Sequence, residues 1–173
     1  MAALVEASRA PDCPYAVVLV ASNVTDAPGL EFAKSQGIPT FAHSHVGMKR
    51  AEFDELLDHA LREAEVEYVA LAGYMRLLSP GFVRKWAGRM INIHPSLLPA
   101  YKGLDTHQRV LDAGDAKHGC TVHIVTEALD DGEIVAQAEI PILAGDTPAA
   151  LAARVLVEEH KLYPSALAKL VRG

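Results

Sequence analysis

Cysteine is scarce, with only Cys13 and Cys120 among 173 residues. Two thiols supply neither a disulfide framework nor a zinc pattern, and they suit a reducing cytoplasm. No apolar run approaches the roughly 18 residues that cross a membrane. Met1 is not followed by the basic stretch that opens a secretory signal. Positive charge is also short: 16 Lys and Arg face 22 Asp and Glu, for a net charge of −6. The doublets Lys49-Arg50 and Arg84-Lys85 are too sparse to track a phosphate backbone, so nucleic acid is not an expected partner. Neither GxGxxG nor GxxxxGK[ST] occurs, which leaves dinucleotide and P-loop readings without support. Repeats and low-complexity tracts are missing as well. What remains is half apolar and 22% charged, the composition of a globular enzyme. At this length one domain is expected, burying roughly two-thirds of its unfolded surface.

Strand-like and helix-like segments alternate along the chain. Ala16–Ser22 is a β-branched run of the kind buried on both faces of a sheet. Gly29–Gln36 reads as a helix closed by Gly37, and Thr40–Ala42 as a short strand. Val46–Glu65 places Phe53, Leu56, Leu57, Ala60 and Leu61 on one helical face. Tyr68–Ala72 is a second buried strand, followed by a short helix around Pro80–Ala87 and a strand over Met90–His94. Asp105–Ala113 is helical. Gly119–Thr126 and Glu133–Pro141 are strands joined through Asp130-Asp131-Gly132, and Thr147-Pro148 caps a long helix to Leu170. Met1–Ser8 already reads as a helix. The order predicts a doubly wound α/β fold, a mostly parallel sheet with an antiparallel C-terminal hairpin. In such folds ligands lie beyond the C-terminal ends of the parallel strands, where Gly73–Leu78 and Pro95–Gly103 fall.

The chemistry concentrates at Met90-Ile91-Asn92-Ile93-His94. Side chains alternate along a strand, so Asn92 and His94 share one face while Ile91 and Ile93 anchor the other. Pro95 ends the ladder. An amide donor and an imidazole side by side suit a carbonyl oxygen that gains negative charge. A carboxylate from the Asp130-Asp131-Gly132 turn, folded beside His94, would favour the imidazolium and complete a set able to move protons in acyl transfer. The same residues also make an ordinary turn. Ser96 and Cys120 lack the setting of a nucleophile. The histidines at 94, 107, 118 and 123 follow no metal-ligand spacing, so no metal is expected.

Asn-Ile-His-Pro-Ser-Leu-Leu-Pro at 92–99, with Gly103, His107 and Leu129-Asp130, closely resembles the phosphoribosylglycinamide formyltransferases, folate-dependent enzymes of purine biosynthesis. The resemblance runs over the whole chain through Ala21-Ser22-Asn23, Ala72-Gly73-Tyr74-Met75-Arg76, His118-Gly119, Val122-His123, Gly145-Asp146, Ala153-Arg154-Val155 and Glu159-His160. The wider formyltransferase group shares Asn-x-His and the aspartate. Pro95 sets this chain apart from formyltetrahydrofolate hydrolases, which tend to have a second histidine there, and from methionyl-tRNA formyltransferases, which tend to have glycine.

The resemblance implies a Rossmann-type formyltransferase fold and transfer of a formyl group from 10-formyltetrahydrofolate to the amine of glycinamide ribonucleotide. It implies Asn92, His94 and Asp130 as catalytic residues, with Asp130 favoured over Asp131. Folate would meet Arg50, Leu71, Met75, Arg76, Leu77 and Leu78 on one wall, and Asn92 with Thr126, Glu127, Ala128, Leu129 and Asp130 on the other. The ribonucleotide would meet Leu156, Val157, Glu158 and Glu159. Taken singly, Leu71, Leu77 and Leu78 also fit a plain core role, and Arg50 and Arg76 a solvated one. The resemblance further implies a first strand and a Gly-Ser-Asn-type phosphate loop ahead of the helix at Met1. Neither is in this sequence, so residues 1–173 are expected to form a single formyltransferase domain shorter at its start than the family. Hydrolysis of the formyl-folate, and folate binding without transfer, are the competing expectations. Nothing in the sequence separates a monomer from a homodimer.

Overall fold

The computed structural model describes residues 1–173. In chain order the elements are α1 (Ala2–Ala7), β1 (Val20–Ser22), α2 (Pro28–Ser35), β2 (Thr40–Ala42), α3 (Arg50–Glu63) and β3 (Val69–Leu71). They continue with α4 (Pro80–Lys85), β4 (Met90–His94), α5 (Thr106–Ala113), β5 (Lys117–Ile124), β6 (Ile134–Pro141) and α6 (Pro148–Arg172). β1 and β2 form a parallel pair, and β3-β4-β5-β6 form a second ladder. Within it β3 and β4 are parallel, while β4/β5 and β5/β6 are antiparallel. No helix is long and apolar enough to cross a membrane.

The alternation along β4 sorts the core into two layers. Met90 packs with Phe53, Leu57 and Leu61 of α3 and with Phe82, Val83 and Trp86 in and beside α4. Ile91, one residue on, packs against the opposite layer, with Leu4 of α1 and Tyr163, Ala166 and Leu167 of α6. Helices therefore cover both faces, and Asn92 and His94 share the face of Met90 at the strand's C-terminal end.

Several boundaries differ from the sequence reading, each for a local reason. Ala16–Leu19 stays outside the first strand, because only Val20–Ser22 finds a ladder partner, and Val18 is left 44% exposed. α3 starts at Arg50 rather than Val46. Gly47 has φ +80° and Val46 is exposed, so the apolar periodicity begins only after Lys49, whose N–H is accepted by Glu52 at 3.0 Å. The link between β5 and β6 is a loop over 125–133 rather than a tight turn at 130–132 alone.

Two polar groupings reinforce the packing, one on each side of the sheet. Asp58 of α3 accepts from Trp86 Nε1, Lys85 Nζ and Arg62 Nε, each at 3.0 Å. Burial pushes its carboxyl up, but these donors outweigh that and hold it below the ordinary carboxylate range. On the other side, His107 of α5 and His118 of β5 share a ring nitrogen contact of 3.0 Å. Burial, reinforced by the nearby imidazoles of His107 and His94, lowers His118 from 6.5 to about 4.

Asp58→Ala leaves the Trp86 N–H without its acceptor and costs about 2 kcal/mol of stability in denaturant titration, and a loss under about 0.5 kcal/mol contradicts the assigned role. The His118 pair sets a pH window. The unfolded chain takes up the proton near 6.5 while the folded one resists until about 4, so stability falls as pH drops through that interval. A urea midpoint lower at pH 5 than at pH 7, with a smaller drop in His118→Gln, is the expected outcome.

Candidate active site

The constellation begins with three strands' worth of alternation. Asn92 ends the paired segment opposite Leu71 of β3 and faces His123 across the β4/β5 ladder. His94 closes β4, where the chain leaves the sheet through Pro95. Asp130 comes from the 125–133 loop, with a left-handed φ of 48° that an aspartate tolerates better than most residues. The close seat of this loop on β5 explains Gly132, since a Cβ there would lie 1.7 Å from the Ile124 carbonyl oxygen.

These elements bring together the three residues that the sequence singled out. His94 Nδ1 lies 3.4 Å from Asp130 Oδ2, and both side chains are buried. His94 Nε2 lies 2.9 Å from the Tyr101 carbonyl oxygen. Both ring nitrogens thus face oxygen acceptors, and only the imidazolium donates to both. The Gly103 N–H donates to Asp130 Oδ2 at 2.9 Å, which fixes the carboxylate. Asp131 points elsewhere and pairs with Lys102.

His123 is a further member that sequence reasoning missed as a participant. Its Nδ1 donates to its neighbour's carbonyl, Ile124 O, at 3.0 Å, and its Nε2 accepts from Asn92 Nδ2 at 3.3 Å. Burial lowers its pKa, against an opposing pull from Asp130, so it is neutral and able to accept. His123 therefore turns the Asn92 amide and stands 3.6 Å from Asp130 Oδ1. The available signal was its cross-strand register with Asn92, which spacing alone does not reveal.

The remaining expected contacts divide. Leu71 and Leu78 are half-buried and pack on the Met90 layer, together with Val125 from the opposite wall. Met75 is 76% exposed, and Leu77 and Leu129 are also open. Arg50 is exposed at the first turn of α3, whereas Arg76 is half-buried, its guanidinium 5.4 Å from the Phe53 ring centre. Thr126, Glu127 and Ala128 are exposed, and Glu127 pairs with Arg84 at 2.8 Å, joining the 125–133 loop to α4. On α6, Leu156 and Val157 are exposed and Glu158 pairs with Lys161. Glu159 is half-buried; burial raises its carboxyl, and the charges of His160 and His94 pull it back. It is therefore within electrostatic reach of the triad. No group of three or more His, Cys, Asp or Glu side chains is gathered to hold a metal.

Chemically, the arrangement offers a directed amide donor, a buried histidine and a carboxylate around one place at the ends of parallel strands. The formyl transferase family model matches residues 1–167. The chain is 47% identical over 172 residues to the trifunctional purine biosynthetic protein adenosine-3 of Bos taurus, covering 99% of this chain and 17% of that protein's length. It is 42% identical over 174 residues to the phosphoribosylglycinamide formyltransferase of Escherichia coli (strain K12), covering 99% of this chain and 81% of the relative. A crystal structure of phosphoribosylglycinamide formyltransferase from Brucella melitensis matches with a TM-score of 0.94 and 48% identity, over 99% of this chain and 88% of that one. That of glycinamide ribonucleotide transformylase 1 from Symbiobacterium toebii matches with a TM-score of 0.95 at 40% identity, over 99% of this chain and 81% of the other. By sequence and by fold alike, the chain belongs to the formyl transferase family.

Proposed function

We propose that the chain transfers the formyl group of 10-formyltetrahydrofolate to the amine of glycinamide ribonucleotide, with Asn92, His94 and Asp130 as its catalytic residues. The observation that carries this reading is the convergence of His94 and Asp130 at 3.4 Å beside Asn92. The Escherichia coli relative, of which the chain covers 81%, is named for formyl transfer to phosphoribosylglycinamide, which supports the same reading.

The substrate amine attacks the formyl carbon, and negative charge develops on the formyl oxygen. Asn92 Nδ2 has two protons. One is taken by His123, which leaves the other directed for the oxyanion. The imidazolium of His94 adds positive charge beside it. As the new C–N bond forms, the amine loses a proton, which Asp130 accepts directly or through one water. The C–N bond to the folate nitrogen then breaks as that nitrogen takes a proton from His94, the general acid, and the proton held by Asp130 restores the imidazolium, so the proton count balances.

Folate is assigned to the walls at residues 71–78 and 126–130. Met75, Leu77 and Leu129 offer the exposed apolar surface that a pteridine ring covers. The ribonucleotide is assigned to residues 156–159, with Glu159 the polar contact. Both ligands are small molecules. A cytoplasmic location accords with the two free thiols, Cys13 and Cys120.

Asn92→Ala is expected to lower kcat about 10²- to 10³-fold, the effect of losing one oxyanion donor. Asp130→Ala is expected to lower it by a similar or larger factor, with circular dichroism unchanged in both variants. Near-normal turnover in either variant removes that residue from the mechanism. Formate release at full rate without ribonucleotide selects hydrolysis over transfer.

A further inference from the structure

The wall at residues 73–79 rests on a buried carboxylate that the reaction does not use. Asp54 lies on α3 and is 1% exposed. Its Oδ2 accepts the Ser79 backbone N–H at 2.6 Å. Ser79 in turn caps α4, its hydroxyl accepting from the Phe82 N–H at 3.3 Å. One carboxylate oxygen thus fixes the point where the loop ends and the helix begins.

The other oxygen, Asp54 Oδ1, is buried without a hydrogen-bond partner. So are two atoms of the loop itself, the Tyr74 hydroxyl and Arg76 Nη1. Unpaired buried polar atoms are rare in folded proteins, and three in one neighbourhood call for a reason. The Tyr74 hydroxyl feels both of the other side chains. Burial raises the Tyr74 phenol to about 12; the charge of Asp54 pushes the same way, and that of Arg76 opposes it. Arg76 is also drawn toward the start of α3, its Nη2 donating at 3.4 Å to Met48 O, just ahead of the helix, and its guanidinium set over the ring of Phe53, the residue beside Asp54. Arg76 is the only charged side chain between Gly73 and Ser79.

We propose that Asp54 is a positioning residue for folate binding, its buried carboxylate anchoring the 73–79 wall at Ser79. The proposal rests on the reading of this site as folate-dependent, and it names a group that sets co-substrate affinity. Asp54 touches no reacting atom: it is buried on α3 and the one hydrogen bond of its carboxylate is to the Ser79 N–H. Its removal therefore loosens the wall before and during the reaction alike, which raises KM and spares kcat.

Asparagine at position 54 keeps an oxygen for the Ser79 N–H and loses the charge, whereas alanine loses both. Asp54→Ala is expected to raise KM for 10-formyltetrahydrofolate about tenfold, with kcat within about twofold. Asp54→Asn, which keeps an acceptor for the Ser79 N–H, is expected to recover most of that loss. Asp54→Ala further speeds amide hydrogen exchange at Ser79 in the ligand-free protein by about tenfold or more. A wild-type KM in Asp54→Ala, or an equal penalty in Asp54→Asn, overturns the proposal. If the wild-type chain transfers no formyl group, the functional reading fails instead. Exchange over residues 73–79 still decides the anchor in that case, since unchanged exchange in Asp54→Ala overturns it.

Discussion

One carboxylate carried from a loop to the end of a strand holds the candidate site together. Asp130 does not belong to the sheet. It reaches His94 because the 125–133 loop folds onto β5 so closely that position 132 admits no side chain, and because Asp130 itself accepts a left-handed backbone. The Gly103 N–H locks the carboxylate from the other side. Backbone conformations of this kind cost about 1 kcal/mol or more and persist where surrounding contacts over-determine them. Here those contacts are the ladder, the glycine seat and the two histidines that flank the carboxylate. Without Asp130, His94 would be a buried imidazole with one carbonyl partner, and His123 would have no charged neighbour.

The sheet supplies the rigidity that this arrangement needs. β4 has helices packed on both faces, so neither Asn92 nor His94 shifts without disturbing a core layer. Tyr163 of α6 adds a direct tie, its hydroxyl donating to Leu71 O at 2.7 Å and lying 3.2 Å from Ile91 O. It thereby pins β3 and β4 at the level where Asn92 sits. The two loops proposed for folate hang from the opposite layer: one is fixed through Asp54 and the cap of α4, the other through the Arg84–Glu127 pair. In the proposed function rigid elements carry the chemistry and tethered loops carry recognition, a division suited to a small substrate that must be held in register.

Much of this was legible in the sequence because the governing rules are local. The alternation of Met90–His94 placed Asn92 and His94 on one face, and the layers on either side of Met90 and Ile91 agree with it. Thr147-Pro148 marked the start of α6, where Thr147 Oγ1 accepts the Ala150 N–H. The rest depends on partners distant in the chain. Ala16–Leu19 has strand-like residues but no neighbouring strand, so its composition misled. The helix face at Val46 was broken by one glycine conformation. The meeting of Asp130 with His94 followed from resemblance rather than spacing, since residues 36 positions apart obey no short-range rule. His123 and Asp54 went unread for the same reason: each acts through a register or a packing contact.

A crystal structure with a tetrahedral mimic of the formyl adduct bound tests the central claim most directly. The account predicts the oxyanion within about 3 Å of Asn92 Nδ2, beside His94, with the attacking nitrogen within direct or one-water reach of Asp130. A mimic seated with its oxyanion turned away from Asn92, or with Asp130 remote from the attacking nitrogen, contradicts it.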